Sequence, residues 1–362
     1  MTDPRIEKFA DVLVYYSTEI KKGETLIVRG EPSSEELIRE VYRRAIAEGA
    51  HVRVSMSLPG AEEIFYSVAG DEQLDYLSPI DQFEIENVAA LIGIRSESNT
   101  RSMTAITPEK QVRRARSLKP IRDVVLGKVR WCGTLYPTSA YAQDAEMSTA
   151  AFREYVFQAM FLDKADPIAE WRKLSDRQDK LIDSIKNGKE IHLKAEGTDL
   201  KFRVDDRIWI NSNGKHNMPS GEIFTTPIED SAEGVVTFSF PVVTGGREIE
   251  GIKLVFKKGV VVEASATKNE EYLKKMLALD SGSNKLGEIG IGTNYGIDRF
   301  IKTILYDEKI GGTIHLALGN AYPETGGKNV SALHWDMICD LRKGGEMCVD
   351  GAVFQKDGKF QV

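Results

Sequence analysis

The chain has 362 residues, of which 41% are apolar and 28% charged, with a formal net charge of −7. Such a chain can bury a full core, and its length fits two domains. Its acidic balance speaks against nucleic acid or an anionic membrane as the main partner.

No stretch approaches the roughly 20 apolar residues of a membrane helix. The opening Met1-Thr2-Asp3-Pro4-Arg5 lacks a signal-peptide core. Cys132, Cys339 and Cys348 show no C-x-x-C spacing, which disfavours a disulfide framework or a thiolate zinc site. A soluble cytoplasmic protein is expected.

The predicted elements alternate through the first half. Apolar residues at helical spacing over 4–21 predict a helix stopped by Gly23, followed by a buried strand at Thr25–Val28. Ser33-Ser34-Glu35-Glu36 carries a capping signature for a helix that runs to Gly49, and Val52–Val54 begins the next strand. Strands at Val88–Ile94 and Val129–Trp131 alternate with helical segments near 60–86 and 108–126. This order predicts an α/β N-terminal domain with a parallel sheet. The basic run Arg113-Arg114-Ala115-Arg116 falls on an amphipathic pattern and reads as a solvated face.

A long helical region over about 148–186 ends at Asn187-Gly188-Lys189. Strand patterns then dominate at Ile191–Ala195, Leu200–Val204, Val235–Pro241 and Gly251–Ala264, with helices expected at 269–279 and 297–306. The expected division is therefore 1–187, the α/β domain, and 188–362, an α+β domain.

Acids and histidines gather in that second domain among glycines. They include Glu222 after Pro219-Ser220-Gly221, Glu288 in Gly287-Glu288-Ile289-Gly290, Asp307-Glu308, His315, Tyr322 and His334-Trp335-Asp336. Imidazoles and carboxylates are the ligands of one or two divalent metal ions in hydrolytic enzymes. His334 and Asp336 share one face of an extended strand, with Trp335 packing on the other. Glu288 among apolar and glycine neighbours needs a counter-charge, which a metal supplies.

Each residue also has a plain structural reading. His315 in a hydrophobic strand fits a satisfied core histidine, and Glu222 an exposed turn. Asp307-Glu308 fits a solvated turn, and Tyr322 a packing residue. H-E-x-x-H, P-loop, dinucleotide and G-x-S-x-G signatures are absent.

Read in order, these segments resemble the thermophilic metalloprotease family of aminopeptidases, the aminopeptidase T type. The resemblance rests on 217–224 (Asn-Met-Pro-Ser-Gly-Glu-Ile-Phe), on 286–294, on 307–319 and on His334-Trp335-Asp336, and extends to Lys22-Gly23-Glu24 and Ala47-Glu48-Gly49-Ala50. It implies that Glu222, Glu288, Glu308, His315, His334 and Asp336 are metal ligands. Glu288 is also implied as a bridging or base-like carboxylate, and Tyr322 as the oxyanion stabiliser.

It further implies two divalent ions per chain (zinc, cobalt or magnesium), hydrolysis of N-terminal residues from short peptides by a two-metal-activated water, and a homodimer. In that dimer the N-terminal domain would help enclose the site. A shorter segment between His315 and His334 and a longer spacing from Glu308 to His315 place the chain in a divergent branch.

The alternative is a mononuclear iron(II) dioxygenase acting on dihydroxypyridine-type rings, with His315, His334 and Asp336 as its two-His-one-carboxylate site. Glu222 and Glu288 separate the two readings, because a single iron needs neither. A non-catalytic, metal-stabilised binding protein is the third possibility.

Overall fold

The computed structural model describes residues 3–244 and 246–362. The chain divides into two compact units, Met1–Trp171 with Gly214–Ser220, and Arg172–Asn213 with Gly221–Val362. Composition puts the expected division between 187 and 188, where the strand-rich chain starts. The observed division falls earlier, inside the helix Pro167–Ile185. Gly214–Ser220 belongs with the first unit because Asn217 and Met218 pair with Gly133 and Thr134.

The first unit is the expected α/β layer. Its strands are β1 (Thr25–Gly30), β2 (His51–Met56), β3 (Ala90–Arg95) and β4 (Arg130–Leu135). They run parallel in the order β2-β1-β3-β4, and Asn217–Met218 adds a short fifth strand. Leu26, Ile27 and Val28 are fully buried, as a run of apolar residues in a parallel strand requires.

Several helices are shorter than expected. The first is α-helical over Pro4–Asp11 and continues as a π-helix over Val12–Ser17. The 60–86 region forms three short helices interrupted by Gly70 and Pro79. Ser34 does not cap the helix Glu35–Ala47, since its hydroxyl donates instead to the Glu31 carbonyl at 2.8 Å.

The second unit holds two large antiparallel sheets beside the two-stranded hairpin of Val242–Thr244 and Arg247–Ile249. One has eight strands, from Val260–Ser265 at one edge to Lys359–Phe360 at the other. The other has five: β5 (Ile210–Ser212), β6 (Glu222–Thr225), β7 (Leu286–Gly292), β8 (Thr313–Gly319) and β9 (His334–Asp340), in the order β9-β8-β7-β6-β5. Strand alternation splits the five-stranded sheet into two faces. Ile289 and Ile291, Ile314 and Leu316, and Trp335 and Met337 enter one apolar core with Leu193, Leu200 and Phe256 of the larger sheet. Each such side chain contributes about 1.5–3 kcal/mol on burial. The opposite face carries the acids and histidines.

The helix expected over 297–306 is reduced to Ile304–Asp307. The Asp307 carboxylate accepts the backbone N–H groups of Ile301 at 2.7 Å and Thr303 at 2.6 Å, and Lys302 takes φ 61°. These bonds replace a helical ladder with a tight loop. No helix among the described residues is long and apolar enough to cross a membrane.

Candidate metal centre

The cluster is assembled by register across four adjacent strands. Gly290 pairs with His315, Gly292 with Glu222, Ala317 with both Glu288 and Asp336, and Gly319 with His334. Small residues thus stand beside every ligand candidate on these strands. A Cβ on Gly290 would lie 2.0 Å from the His315 ring, so bulk at that position is incompatible with the site.

Both imidazoles are oriented by backbone. His315 Nδ1 lies 3.0 Å from the Glu308 carbonyl, and His334 Nδ1 lies 2.8 Å from the Asn320 carbonyl. A carbonyl only accepts, so each Nδ1 is the donor and each Nε2 faces the cluster. His315 Nε2 is 3.4 Å from Glu222 Oε2 and 3.5 Å from Glu288 Oε1. His334 Nε2 is 3.2 Å from Glu288 Oε2 and 3.5 Å from Asp336 Oδ2. Glu288 therefore offers one oxygen to each histidine.

Three overlapping groups have ligand atoms within 4.8 Å of one another: Glu222-Glu288-His315, Glu288-His334-Asp336 and Glu308-His315-Asp336. All six sequence candidates are brought together. Glu222, expected on an exposed turn, instead begins β6 and is only 5% exposed. Its strand is held by Gln178, whose side-chain amide donates to the Glu222 carbonyl at 2.5 Å. Asp307 is turned away into the 301–303 loop, leaving Glu308 as the cluster member of that pair.

Lys309 is the member that the sequence reading missed. Its side chain is wholly buried, with Nζ bonded to Glu308 and 3.6 Å from Glu222 Oε1. A lysine before two glycines reads as a solvated turn. The available signal was its direct attachment to Glu308.

The electrostatics follow from burial and crowding. Burial raises the Glu308 carboxyl to about 7 despite Lys309, with Glu222 and Asp336 pushing the same way. Burial opposes charge on His315, but Glu288, Glu222 and Asp336 outweigh it and raise the imidazole to about 10. Asp336 is also opposed by burial, yet His334 holds it down to about 2.

Tyr322 packs its ring 5.1 Å from that of His334 and 5.4 Å from that of Phe224. Burial, and after it the surrounding carboxylates, keep its phenol protonated and therefore a donor.

The donor set fits divalent metal. Glu222 Oε2 and Asp336 Oδ1 are buried without a hydrogen bond, with His315 Nε2 near them at 3.4 and 4.0 Å, and a divalent cation would complete both. Four carboxylates face one fixed ammonium. Protons held by the histidines are those that metal ligation would release.

The chain belongs to the Thermophilic metalloprotease (M29) family, whose model matches residues 2–360. It is a metal-dependent peptidase, a hydrolase, as the sequence motifs implied. Among its relatives are Aminopeptidase 2 of Geobacillus stearothermophilus, 27% identical over 99% of this chain and 95% of the relative, and Aminopeptidase T of Thermus thermophilus, 28% identical over 96% and 94%. The solved structure of wild-type AmpT from Thermus thermophilus shares the fold, with a TM-score of 0.85, 24% identity and 99% coverage of both chains.

Proposed function

We propose that this protein is a metal-dependent aminopeptidase that removes N-terminal residues from short peptides at a two-ion centre of zinc, cobalt or magnesium. The ligands would be Glu222, Glu288, Glu308, His315, His334 and Asp336. The observation that carries this reading is Glu288, with Oε1 3.5 Å from His315 Nε2 and Oε2 3.2 Å from His334 Nε2. A carboxylate presented to two histidines in this way suits a bridge between two ions.

Bound divalent ions supply Lewis-acid polarisation of the scissile carbonyl and lower the pKa of water. The chain's own groups do the remainder. The backbone carbonyls of Glu308 and Asn320 fix the two imidazoles, and Gln178 fixes the strand of Glu222. Tyr322 keeps its phenolic proton and donates to the oxygen on which negative charge develops. Exopeptidase action is carried by the aminopeptidase relatives.

A homodimer is part of the same proposal. Its support lies in the first unit, where edge strand β2 exposes Val54 and Met56, and the helices Ala61–Val68 and Pro79–Glu86 expose Ile64, Val68, Ile80 and Phe83. Exposed apolar groups on a sheet edge favour association.

The test is release of arylamine from aminoacyl-arylamides by the purified protein. Turnover is expected to vanish on N-acetylation of the substrate, to vanish with chelator and to return with zinc, cobalt or magnesium, on a protein that scatters light as a dimer. Cleavage of N-blocked peptides would contradict the exopeptidase reading, and a monomer of full activity would contradict the dimer.

A further inference from the structure

We propose that a cleft beside the cluster, polar at the ligand side and walled elsewhere by aliphatic and aromatic side chains, receives the side chain of the substrate's N-terminal residue, so that peptides beginning with large uncharged residues are preferred. This rests on the aminopeptidase reading and adds its substrate class.

The cleft lies in the second unit, with His334 and Asp336 among its lining residues. Ile338 follows them on the same face of β9 and also lines it. Opposing walls come from Val242 and Val243 of a short hairpin strand and from Phe300 and Ile304 of the loop and helix around 300–307. Phe300 is backed by Phe240, with ring centroids 4.8 Å apart and planes only 3° from parallel. Ile304 remains 39% exposed, an apolar surface left open next to a polar centre.

The charged residues that reach this cleft are already matched within the protein. Lys302 Nζ lies 3.2 Å from Glu248. The Asp307 carboxylate is occupied by the amides of Ile301 and Thr303. The same two bonds fold the loop that carries Phe300. Beyond the cluster itself, Lys302 and Asp307 are the charged residues among the described lining, so a lysine, arginine or acidic side chain entering there meets no unmatched partner, and burying one without a partner is costly.

The assignment to the N-terminal residue follows from connectivity. In an aminopeptidase substrate one Cα joins the free amine to the scissile carbonyl. Both groups belong at the cluster, so the side chain on that Cα is the one that reaches a cleft sharing His334 and Asp336.

The experiment compares kcat/KM across glycyl-, alanyl-, leucyl-, phenylalanyl-, lysyl- and glutamyl-arylamides, and across dipeptides varied at the second residue. The expected gain is about fourfold per buried methylene, or on the order of 50-fold from alanyl to leucyl. Ile304→Glu is expected to narrow the leucyl-to-alanyl ratio to below about fivefold and to raise lysyl relative to leucyl turnover. Phe300→Ala should narrow the phenylalanyl-to-alanyl ratio. Metal content and thermal melts establish that both variants are folded.

A flat or charge-seeking series in the unaltered enzyme would overturn the proposal. So would a preference that follows only the second residue, or ratios unmoved in both folded variants. Absence of hydrolysis with every aminoacyl substrate would instead remove the aminopeptidase reading on which it stands.

Discussion

Glu288→Gln is expected to lower kcat/KM on the order of 10³-fold while leaving the fold intact. Glu288 sits on the central strand β7 with its two oxygens divided between His315 and His334, at 3.5 and 3.2 Å. Glutamine keeps the shape but has one acceptor oxygen and one NH₂ group, which cannot ligate a cation. Whichever way the amide is turned, one side of the centre loses its carboxylate. The variant should show an unchanged circular dichroism spectrum and bind less metal. Activity within tenfold of the unaltered enzyme, with metal content preserved, would remove Glu288 from the mechanism.

Lys309→Met is expected to destabilise the chelated protein by about 3–5 kcal/mol, because it strips a wholly buried cation from between two carboxylates. The loss should be smaller at pH 5.5 than at pH 8. Glu308 is raised to about 7, so in the folded protein it holds a proton at pH 5.5 and releases it by pH 8. A carboxyl raised from 4.5 makes the native state bind more protons than the unfolded chain between those values. Stability from this group therefore falls as pH rises through that window.

Without Lys309 the ionised form has one counter-charge fewer, and the fall steepens. Added divalent metal should recover part of the loss, since it neutralises the same carboxylates. Denaturant unfolding at the two pH values, with and without metal, measures this. A loss below about 1 kcal/mol at pH 8 would show that Lys309 does not compensate the cluster.

Much of the site was legible because its signals are local and periodic. His334-x-Asp336 reads directly, since alternate residues of a strand share a face, and Trp335 between them enters the core. Glu288 was visible through its glycine neighbours, and Gly290 proves to be the space that the His315 ring fills.

Other features depend on contacts between distant segments. Lys309 reads as a turn lysine until the sheet buries it against Glu222, 87 positions earlier in the chain. The apolar pattern over 297–306 suits a helix, but two amides captured by Asp307 fold it into a loop instead. Likewise, nothing local shows that Gly214–Ser220 leaves the second unit to extend the first sheet through Asn217 and Met218. Patterning identified the strands and the acids and histidines on them. It could not give the partners of residues whose role is set by tertiary contacts.

Metal stoichiometry separates a two-ion centre from a single-ion one. Elemental analysis of the active protein should find two divalent ions per chain, with Glu222→Gln and Glu288→Gln each lowering that number. One iron per chain, bound by His315, His334 and Asp336 and supporting oxygen uptake on a dihydroxypyridine, would contradict the two-ion centre.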